Sequence, residues 1–172
     1  EYIFLLSKSP KYYYDADAIK EPVTRRAIAS GKRGAVGVSK RNDAPDVAVA
    51  TRNKRSVWTI ATQPFPEGHF AAFPEKLVEP CILAGTSPHA CPVCRAPWKR
   101  AAESELGWQP TCTCENNDGS GKCIVLDPFA GSGTTLLVAE RLGREGVGIE
   151  INPEYVEMAN RRLSKVQLAL PL

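Results

Sequence analysis

The stretch IVLDPFAGSGTTLLVAERLGREGVGIEINPEYVEMANRRL, residues 124–163, constrains the fold of this chain more than any other segment. It opens with a short apolar run rich in β-branched residues, which is typical of a strand buried on both faces, and Asp127 ends that strand. Gly131 and Gly133 then permit a tight turn and the close approach of a ligand. Residues 134–142 have the pattern of a helix, and the glycine that follows is placed to end it.

The same stretch continues with a second strand and a second helix. Residues 147–150 are expected to form another buried strand that ends in an acid. Asn152 is placed as a helix N-cap, with Pro153 in the first turn. Apolar residues then recur at helical spacing, at Val156, Ala159, Leu163 and Val166. This order predicts half of a doubly wound α/β sheet, a fold that binds ligands at the carboxyl ends of its strands.

The acidic strand ends and the glycine turn together favour one kind of ligand. A dinucleotide site would have Gly or Ala where this chain has Leu136, and no Lys follows the turn as it would in a P-loop. Asp127 suits a cationic or amino-acid-like group above the glycines, and Glu150 suits a pair of ribose hydroxyls. A ribose combined with an amino acid indicates S-adenosylmethionine. A purely structural α/β unit is the alternative, although packing alone explains two glycines in one turn poorly.

Residues 127–135, DPFAGSGTT, resemble the cofactor motif of the DNA methyltransferases that modify exocyclic amino groups of adenine or cytosine. That motif reads Asp-Pro-Phe-x-Gly-x-Gly-Thr, and this chain matches every defined position. Residues 148–163 resemble the strand and helix that follow the motif. Residues 55–87 resemble the segment before it, and residues 1–15 resemble the strand after the catalytic region. The resemblance implies a partial Rossmann-like, doubly wound methyltransferase sheet with a small Cys-rich insertion.

The resemblance also implies a set of cofactor-binding residues. They are Asp127, Phe129, Ala130, Gly131, Ser132, Gly133, Thr134, Glu150 and Ile151, with Phe73 and Pro74 in the wall beside the cofactor. In this arrangement the turn would hold the methionine end, Glu150 would hold the ribose, and Ile151 would face the adenine. His69 precedes the helix of the wall and is interpreted as a capping or packing residue rather than a general base.

A catalytic motif is missing from this chain. Members of the resembling family with a late cofactor motif carry, earlier in the sequence, Asp, Asn or Ser followed by Pro-Pro and an aromatic residue. This sequence has no Pro-Pro pair and begins with Glu1 in an apolar run. We therefore expect the C-terminal portion of a longer protein, with no catalytic residues of its own and with the missing N-terminal catalytic portion as its partner. Such a chain should not methylate DNA alone.

Basic residues are concentrated in the first third of the chain. Residues 1–57 contain 12 Lys and Arg against 6 Asp and Glu, whereas residues 58–172 contain 10 against 13. Residues 18–57, here called the strap, are rich in small and polar residues, which favours a flexible segment. The basic pairs of the strap are Arg25-Arg26, Lys32-Arg33, Lys40-Arg41 and Lys54-Arg55. Such pairs suit contacts to the phosphates of double-stranded DNA, and a solvated linker is the alternative.

Four of the six cysteines form two close pairs separated by 17 residues. The pairs are Cys91-x-x-Cys94 and Cys112-x-Cys114. They can deliver four thiolates to a structural zinc ion, and the stretch between them has too few apolar residues to form a core without metal. Reduced thiols and disulfides are the alternatives. Cys81 and Cys123 are expected to be small buried hydrophobic residues.

These patterns divide the chain into five segments. They are a strand region of the methyltransferase core (1–17), the DNA-contacting strap (18–57), a cofactor-adjacent strand and helix (58–88), a zinc-knuckle insertion (89–120) and the S-adenosylmethionine-binding unit (121–172). Strands are expected at 2–6, 57–61, 124–127 and 147–150. No apolar run reaches the length of a membrane span and the N-terminus lacks a signal-peptide pattern, so a cytoplasmic protein without a membrane partner is expected.

Two other functions are compatible with the sequence. A methyltransferase that acts on RNA or protein would use the same cofactor motif. A non-catalytic, zinc-containing DNA-binding module with a degenerate methyltransferase fold would not need Asp127, Gly131, Gly133 and Glu150 all to be intact, which disfavours that reading.

Overall fold

A computed structural model describes residues 2–23, 51–64 and 73–166 of the chain. Most of the strap, including three of its four basic pairs, lies outside the described residues, and so does His69. Within the described ranges, every helix is too short or too polar to cross a lipid bilayer.

Regular structure is spread along the chain in short elements. After a 3-10 turn at Asp17–Ile19, they are β1 (Glu21–Pro22), β2 (Thr51–Arg52), α1 (Glu75–Gly85), β3 (Lys99–Arg100), β4 (Trp108–Gln109), β5 (Ile124–Asp127), α2 (Thr134–Arg141), β6 (Glu145–Gly148) and α3 (Pro153–Leu163). Strands β1 and β2 pair antiparallel, as do β3 and β4, whereas β5 and β6 form a parallel pair.

The unit β5–α2–β6–α3 confirms the element order predicted for residues 124–163. Strand β5 pairs with β6 from Ile124 opposite Glu145 to Asp127 opposite Gly148. Parallel strands need a crossover connection, and α2 supplies it. Asn152 accepts a hydrogen bond from the backbone N–H of Glu154, so the predicted N-cap of α3 is also confirmed.

The second strand of this unit begins two residues earlier than predicted. The apolar pattern predicts a strand over 147–150, but β6 is Glu145–Gly148. The backbone N–H of Glu145 donates to the Cys123 carbonyl at 2.9 Å, and the N–H of Ile149 donates to the Asp127 carbonyl at 2.9 Å. Hydrogen bonding with β5 therefore determines which residues form β6. The apolar pattern of residues 147–150 does not by itself specify that register.

Only one face of β5 is covered in the described structure. Val125 packs against the buried cluster that contains Val138 and Ala139 of α2. On the other face, Ile124 and Leu126 are 48% and 59% exposed. The prediction of a strand buried on both faces is therefore wrong for the described residues, because the described helices cover a single face of the pair.

Helix α1 packs against α2 through Ile82, which lies in one buried cluster with Val138 and Ala139. Cys81 is exposed, and its Sγ lies 3.4 Å from the Leu77 carbonyl. The predicted burial of Cys81 is wrong because successive helix residues point about 100° apart, so the face that buries position 82 turns position 81 outward. The predicted burial of Cys123 is confirmed.

Two predicted strands are not formed by the described residues. Residues 2–6 and 57–61 have no strand assignment, and the side chains of Tyr2, Phe4 and Leu6 are exposed. A strand requires a hydrogen-bonded neighbour, and no strand of the described ranges pairs with either segment. Both predictions are therefore wrong for the described structure.

Asp15 attaches the N-terminal segment to the rest of the molecule. Its backbone N–H donates to the Ala84 carbonyl at 2.8 Å. Its carboxylate accepts from Arg100 Nε at 2.9 Å on each oxygen, and its side chain is only 5% exposed. Asp15 is thus hydrogen-bonded both to the end of α1 and to strand β3 of the hairpin.

Candidate cofactor-binding site and metal centre

The glycine turn joins β5 directly to α2. Gly131 and Gly133 have φ values of 52° and 76°, in the left-handed region that favours glycine. The N–H of Gly133 donates to the Ala130 carbonyl at 2.8 Å, and the N–H of Ala130 donates to the Ile149 carbonyl at 2.9 Å. The turn is therefore closed on itself and bonded to the end of β6.

Two half-buried carboxylates flank this turn. Asp127 Oδ1 accepts from the N–H of Phe129 at 3.0 Å. Glu150 Oε2 accepts from the N–H of Gly131 at 2.8 Å, and Glu150 Oε1 accepts from the N–H of Asn152 at 2.8 Å. The structure thus brings together the two acids and the glycines that the sequence places at separate strand ends.

The other residues predicted to contact the cofactor around the turn are either fully exposed or packed inside it. Phe129 and Ile151 are 86% and 98% exposed. The buried members are Ala130, Ser132, Gly133 and Thr134. The edge of the site therefore offers one aromatic and one aliphatic side chain to a ligand, while the interior of the turn is packed against the protein.

Pro74 lies beside the end of α2 that is remote from the turn. It lines a cavity of about 400 Å³ together with Arg141 and Leu142, and its neighbour Glu75 is ion-paired with Arg141. A helix of eight residues is about 12 Å long. The structure does not bring Pro74, or Phe73 beside it, to the glycine turn, and their role at the cofactor stays a prediction without support from these contacts.

Arg162 contacts the turn and was not predicted from the sequence. Its Nη1 donates to the Ser132 carbonyl at 2.6 Å, to Ser132 Oγ at 3.0 Å and to Thr134 Oγ1 at 3.1 Å. An arginine in the last turn of a helix is ordinarily explained by the helix dipole. Nothing in its spacing indicates a partner about thirty residues earlier in the chain.

The four cysteines predicted to bind zinc converge in space. The Sγ atoms of Cys91, Cys94, Cys112 and Cys114 all lie within 4.8 Å of one another. Four sulfurs at about 2.3 Å from one zinc ion are about 3.8 Å apart, so the cluster is close to the size of a tetrahedral site. All six cysteines lie in the described part of the chain, and none is in a disulfide.

The clustered thiols change each other's ionisation. Burial alone would raise the pKa of Cys91, but hydrogen bonds with the backbone of Cys94 and Val93 lower it to about 7. Hydrogen bonds with the thiols of Cys94 and Cys112 raise the pKa of Cys114 to about 12. Four adjacent thiolates repel one another, and a divalent cation would supply the compensating charge.

Trp98 fills the interior of the Cys-rich segment. The indole is buried, and its Nε1 donates to Asn117 Oδ1 at 2.8 Å, while Asn117 Nδ2 donates to Cys112 Sγ at 3.2 Å. A Cβ placed on Gly119 would lie 3.0 Å from the indole ring. Trp98 therefore packs the segment, and Asn117 directs a hydrogen-bond donor at one of the four sulfurs.

Two arginines connect the Cys-rich segment to the rest of the molecule. Arg95 Nη1 donates to Glu145 Oε2 at 2.6 Å, at the start of β6. Arg100 is paired with Asp15 and lies over the Trp108 ring at 4.6 Å. Since Arg100 already has a carboxylate partner, its position is explained by packing within the molecule.

A basic cluster lies where the two described ends of the strap meet. Arg52, Lys54 and Arg55 lie 3.6, 3.6 and 3.1 Å from the carboxylate of Glu21. Lys54 Nζ is also 4.7 Å from the centre of the Trp58 ring. Three cations around one carboxylate leave a local excess of positive charge.

Residues 124–163 form an α/β unit whose parallel strands present a glycine turn and two carboxylates at one edge. Comparison with known proteins identifies the family. The DNA methylase family model matches residues 1–161, and this chain belongs to that family. The resemblance carried by the DPFAGSGTT motif is thereby confirmed.

The chain is similar to type II methyltransferases of bacteria. It is 38% identical to type II methyltransferase M.SmaI of Serratia marcescens over 163 residues. This alignment covers 95% of this chain and 37% of the relative. It is 35% identical over 163 residues to M.Cfr9I of Citrobacter freundii, covering 95% and 36%. The crystal structure of the M1.HpyAVI-SAM complex covers 56% of this chain and 33% of that one, at 29% identity and a TM-score of 0.35. The chain thus spans little more than a third of the length of these curated relatives.

Proposed function

We propose that this chain binds S-adenosylmethionine and is the cofactor-binding portion of an enzyme that methylates an exocyclic amino group of adenine or cytosine in double-stranded DNA. The observation that carries the proposal is the 2.8 Å hydrogen bond from the N–H of Gly131 to Glu150. It joins the turn after β5 to the acid after β6, at the edge where doubly wound sheets bind ligands. Membership of the DNA methylase family supports the proposed activity.

The residues at this edge fit S-adenosylmethionine chemically. Asp127, oriented by the N–H of Phe129, supplies negative charge for a cationic amino acid. A carboxylate has about four acceptor sites, so Glu150 suits vicinal ribose hydroxyls as well as backbone donors. Ile151 presents exposed apolar surface that suits an adenine ring, and the exposed Phe129 lies on the turn proposed to hold the methionine end.

In this proposal the chemistry divides between this chain and a separate portion that carries the Pro-Pro-aromatic motif. When bound, S-adenosylmethionine would supply a methyl group on a good sulfonium leaving group. An exocyclic amine is a weak nucleophile because its lone pair is delocalised into the base, so the base must be flipped out and held in place. In this proposal the residues of the glycine turn hold the donor, and the missing N-terminal catalytic portion holds the base.

Calorimetric titration with S-adenosylhomocysteine tests the cofactor site. We expect saturable binding by the 172-residue chain, and an affinity lower by about tenfold or more in Asp127→Ala, because a charged partner is lost. Glu157→Ala removes an exposed carboxylate of α3 and should bind as the unmodified chain does. Failure of the unmodified chain to bind would contradict the proposal and favour the non-catalytic DNA-binding module.

Methyl transfer from labelled S-adenosylmethionine tests whether this chain supplies only the cofactor site and another portion supplies the base-binding site. We expect no transfer to double-stranded DNA by this chain alone, and transfer by the full-length protein that carries the missing portion. Methyl transfer by the chain alone would show that it does not need a separate catalytic portion. Transfer by the full-length protein to RNA or protein, but not to DNA, would favour the rival substrates.

We assign phosphate contact on the DNA to the strap, residues 18–57. The positive excess around Glu21 supports this assignment, since Lys and Arg clusters give affinity for the backbone without reading the bases.

We also propose that the four clustered cysteines bind a structural zinc ion. The ligand set of Cys91, Cys94, Cys112 and Cys114 is all thiolate, which suits zinc and leaves no coordination position for a reactive water. The ion would join the turn that contains the first pair to the segment after β4 that contains the second pair.

The metal content of the purified chain tests this site. We expect one zinc per chain, and visible absorption typical of a tetrahedral thiolate site after cobalt substitution. Cys91→Ser should reduce the metal content, whereas Cys81→Ser changes an exposed cysteine of α1 and should leave it unchanged. A metal-free chain in which Cys91→Ser alters neither metal content nor folding would contradict the proposal.

A further inference from the structure

We propose that Arg162 is a positioning residue that holds the glycine turn in the shape that receives the methionine end of S-adenosylmethionine. This inference rests on the proposed cofactor site and adds to it a residue that lies outside the sequence motif. Arg162 is in the last turn of α3, and the groups that it contacts belong to the turn between β5 and α2.

The turn contains buried acceptors that it does not satisfy with its own side chains. Ser132 and Thr134 are 4% and 5% exposed, and buried polar groups need partners. The N-cap of α2 is Gly133, which provides no capping side chain. Arg162 Nη1 donates to the Ser132 carbonyl, to Ser132 Oγ and to Thr134 Oγ1 at distances of 2.6 to 3.1 Å. One guanidinium therefore links the middle of the turn to the start of the helix.

Helix α3 also supports the turn by direct packing. A Cβ placed on Gly133 would lie 2.8 Å from the Cβ of Ala159. Ala159 precedes Arg162 by three residues, so both lie on the same face of α3. Glu150 bonds the other part of the turn through the N–H of Gly131. The turn is thus held from two sides, by the end of β6 and by α3.

The position of the Arg162 guanidinium favours a role in ligand binding. The hydrogen bond to Thr134 places Arg162 at the N-terminal end of α2, which is the positive end of the helix dipole. A cation there is unfavourable for the helix itself, whereas it favours an anion near the turn, such as the carboxylate of a bound amino acid. The charge of Arg162 therefore does not stabilise α2 through the helix dipole, although its hydrogen bonds link the helix to the turn.

The test compares two nucleosides on a small set of variants of the full chain. S-Adenosylhomocysteine carries the amino-acid end, and methylthioadenosine lacks it. We expect Arg162→Met to weaken S-adenosylhomocysteine binding by about tenfold or more, because hydrogen bonds to a charged group are lost, and to change methylthioadenosine binding by less than about twofold. Arg162→Lys should recover part of the loss because it keeps a charged donor. Lys165→Met, which removes an exposed positive charge just after α3, should bind both ligands normally.

The outcomes separate this inference from the function on which it rests. Failure of the unmodified chain to bind S-adenosylhomocysteine overturns both. If the unmodified chain binds, then unchanged S-adenosylhomocysteine affinity in Arg162→Met, or an equal loss for both nucleosides, overturns the positioning role alone. Thermal unfolding identifies a variant that does not fold, and in that case the ratio of the two affinities in Arg162→Lys decides.

Discussion

Leu136 of α2 lies so close to Gly148 of β6 that a Cβ on the glycine would be 2.7 Å from Leu136 Cδ1. A dinucleotide-binding turn achieves close packing of helix on strand with a third glycine on the helix, at the position that Leu136 occupies here. In this chain the glycine is on the strand and the large residue is on the helix. The close packing places the start of α2, and the turn before it, beside the end of β6 and Glu150.

The contact between the turn and α3 predicts a position-dependent effect of alanine at two glycines. Gly133 and Gly143 have φ values of 76° and 75°, but only at Gly133 would a Cβ meet a neighbour, Ala159 at 2.8 Å. We expect Gly143→Ala to lower the free energy of unfolding by about 1–2 kcal/mol through backbone strain. Gly133→Ala should lower it by about 2–4 kcal/mol, because overpacking adds to the strain. Urea unfolding measures both changes. Equal losses of unfolding free energy in the two variants would show that packing of α3 against the turn is not tight at Gly133.

The buried pairing of Asp15 with Arg100 predicts that these residues stabilise the fold jointly. Asp15→Ala should reduce the free energy of unfolding by about 1–3 kcal/mol, since a buried charged hydrogen bond is lost. Asp17→Ala removes an exposed acid that pairs with Lys20 at 2.5 Å, and should leave the free energy of unfolding close to that of the unmodified chain. A double-mutant cycle with Arg100→Ala should show coupling, and additive losses would argue against the pair.

The basic cluster around Glu21 predicts that removing its carboxylate strengthens binding to DNA. Glu21→Gln removes the negative charge that Arg52, Lys54 and Arg55 share, so the affinity for double-stranded DNA should rise. Arg55→Ala should lower the affinity and reduce the slope of its salt dependence by about one. Binding is measured by fluorescence anisotropy over a range of salt concentrations. Glu103→Gln makes the same charge change at an exposed site in the Cys-rich segment, and an equal gain there would mean that net charge alone is responsible.

The same carboxylate predicts part of the acid sensitivity of the fold. Burial alone would raise the pKa of Glu21, but Arg55 and Lys54 hold it below its ordinary value of 4.5. A group with a lowered pKa stabilises the folded state above its unfolded value, and that stability is lost as the pH falls through the folded pKa. Unfolding midpoints measured on acidification below about pH 4.5 should therefore fall less steeply in Glu21→Gln than in the unmodified chain. Parallel curves would contradict the lowered pKa.

If the four cysteines bind zinc as proposed, removal of the metal should disorder the Cys-rich segment and leave the β5–α2–β6 unit folded. Trp98 and Trp108 lie in that segment, whereas Trp58, the third tryptophan of the chain, lies outside it. Chelation should therefore shift the tryptophan fluorescence to the red as the buried Trp98 becomes solvated. A Trp58→Phe variant should keep the shift. If the tryptophan fluorescence of the metal-free chain is not shifted to the red, side-chain packing alone keeps the Cys-rich segment folded.

Local patterns were sufficient to predict the unit that carries the candidate site. The two glycines of the turn, the N-cap at Asn152 and the apolar periodicity of the two helices act within a few residues of chain. The turn, the cap and the helices that they favour are therefore encoded locally, even though Gly131 and Gly133 also contact residues far along the chain. The two cysteine pairs were predictable as a cluster for a related reason, because a short hairpin between them can bring both ends together.

Features that depend on partners far along the chain were not predictable in this way. The apolar pattern predicts strands at 2–6 and 57–61, but a strand exists only where another strand supplies hydrogen bonds. The start of β6 is set by pairing of Glu145 with the Cys123 carbonyl, not by its own apolar residues.

Residue types and their spacing thus determined that a glycine turn with an acid on either side would lie at the carboxyl ends of two parallel strands. Tertiary structure decided that Glu150 bonds Gly131, that Arg162 reaches the turn from the end of α3, and that Pro74 lies at the far end of α2. The reason is that propensities and caps operate over a few neighbouring residues. Hydrogen bonds between side chains and distant backbone groups exist only after the helices have packed against the sheet, and packing is a property of the whole chain.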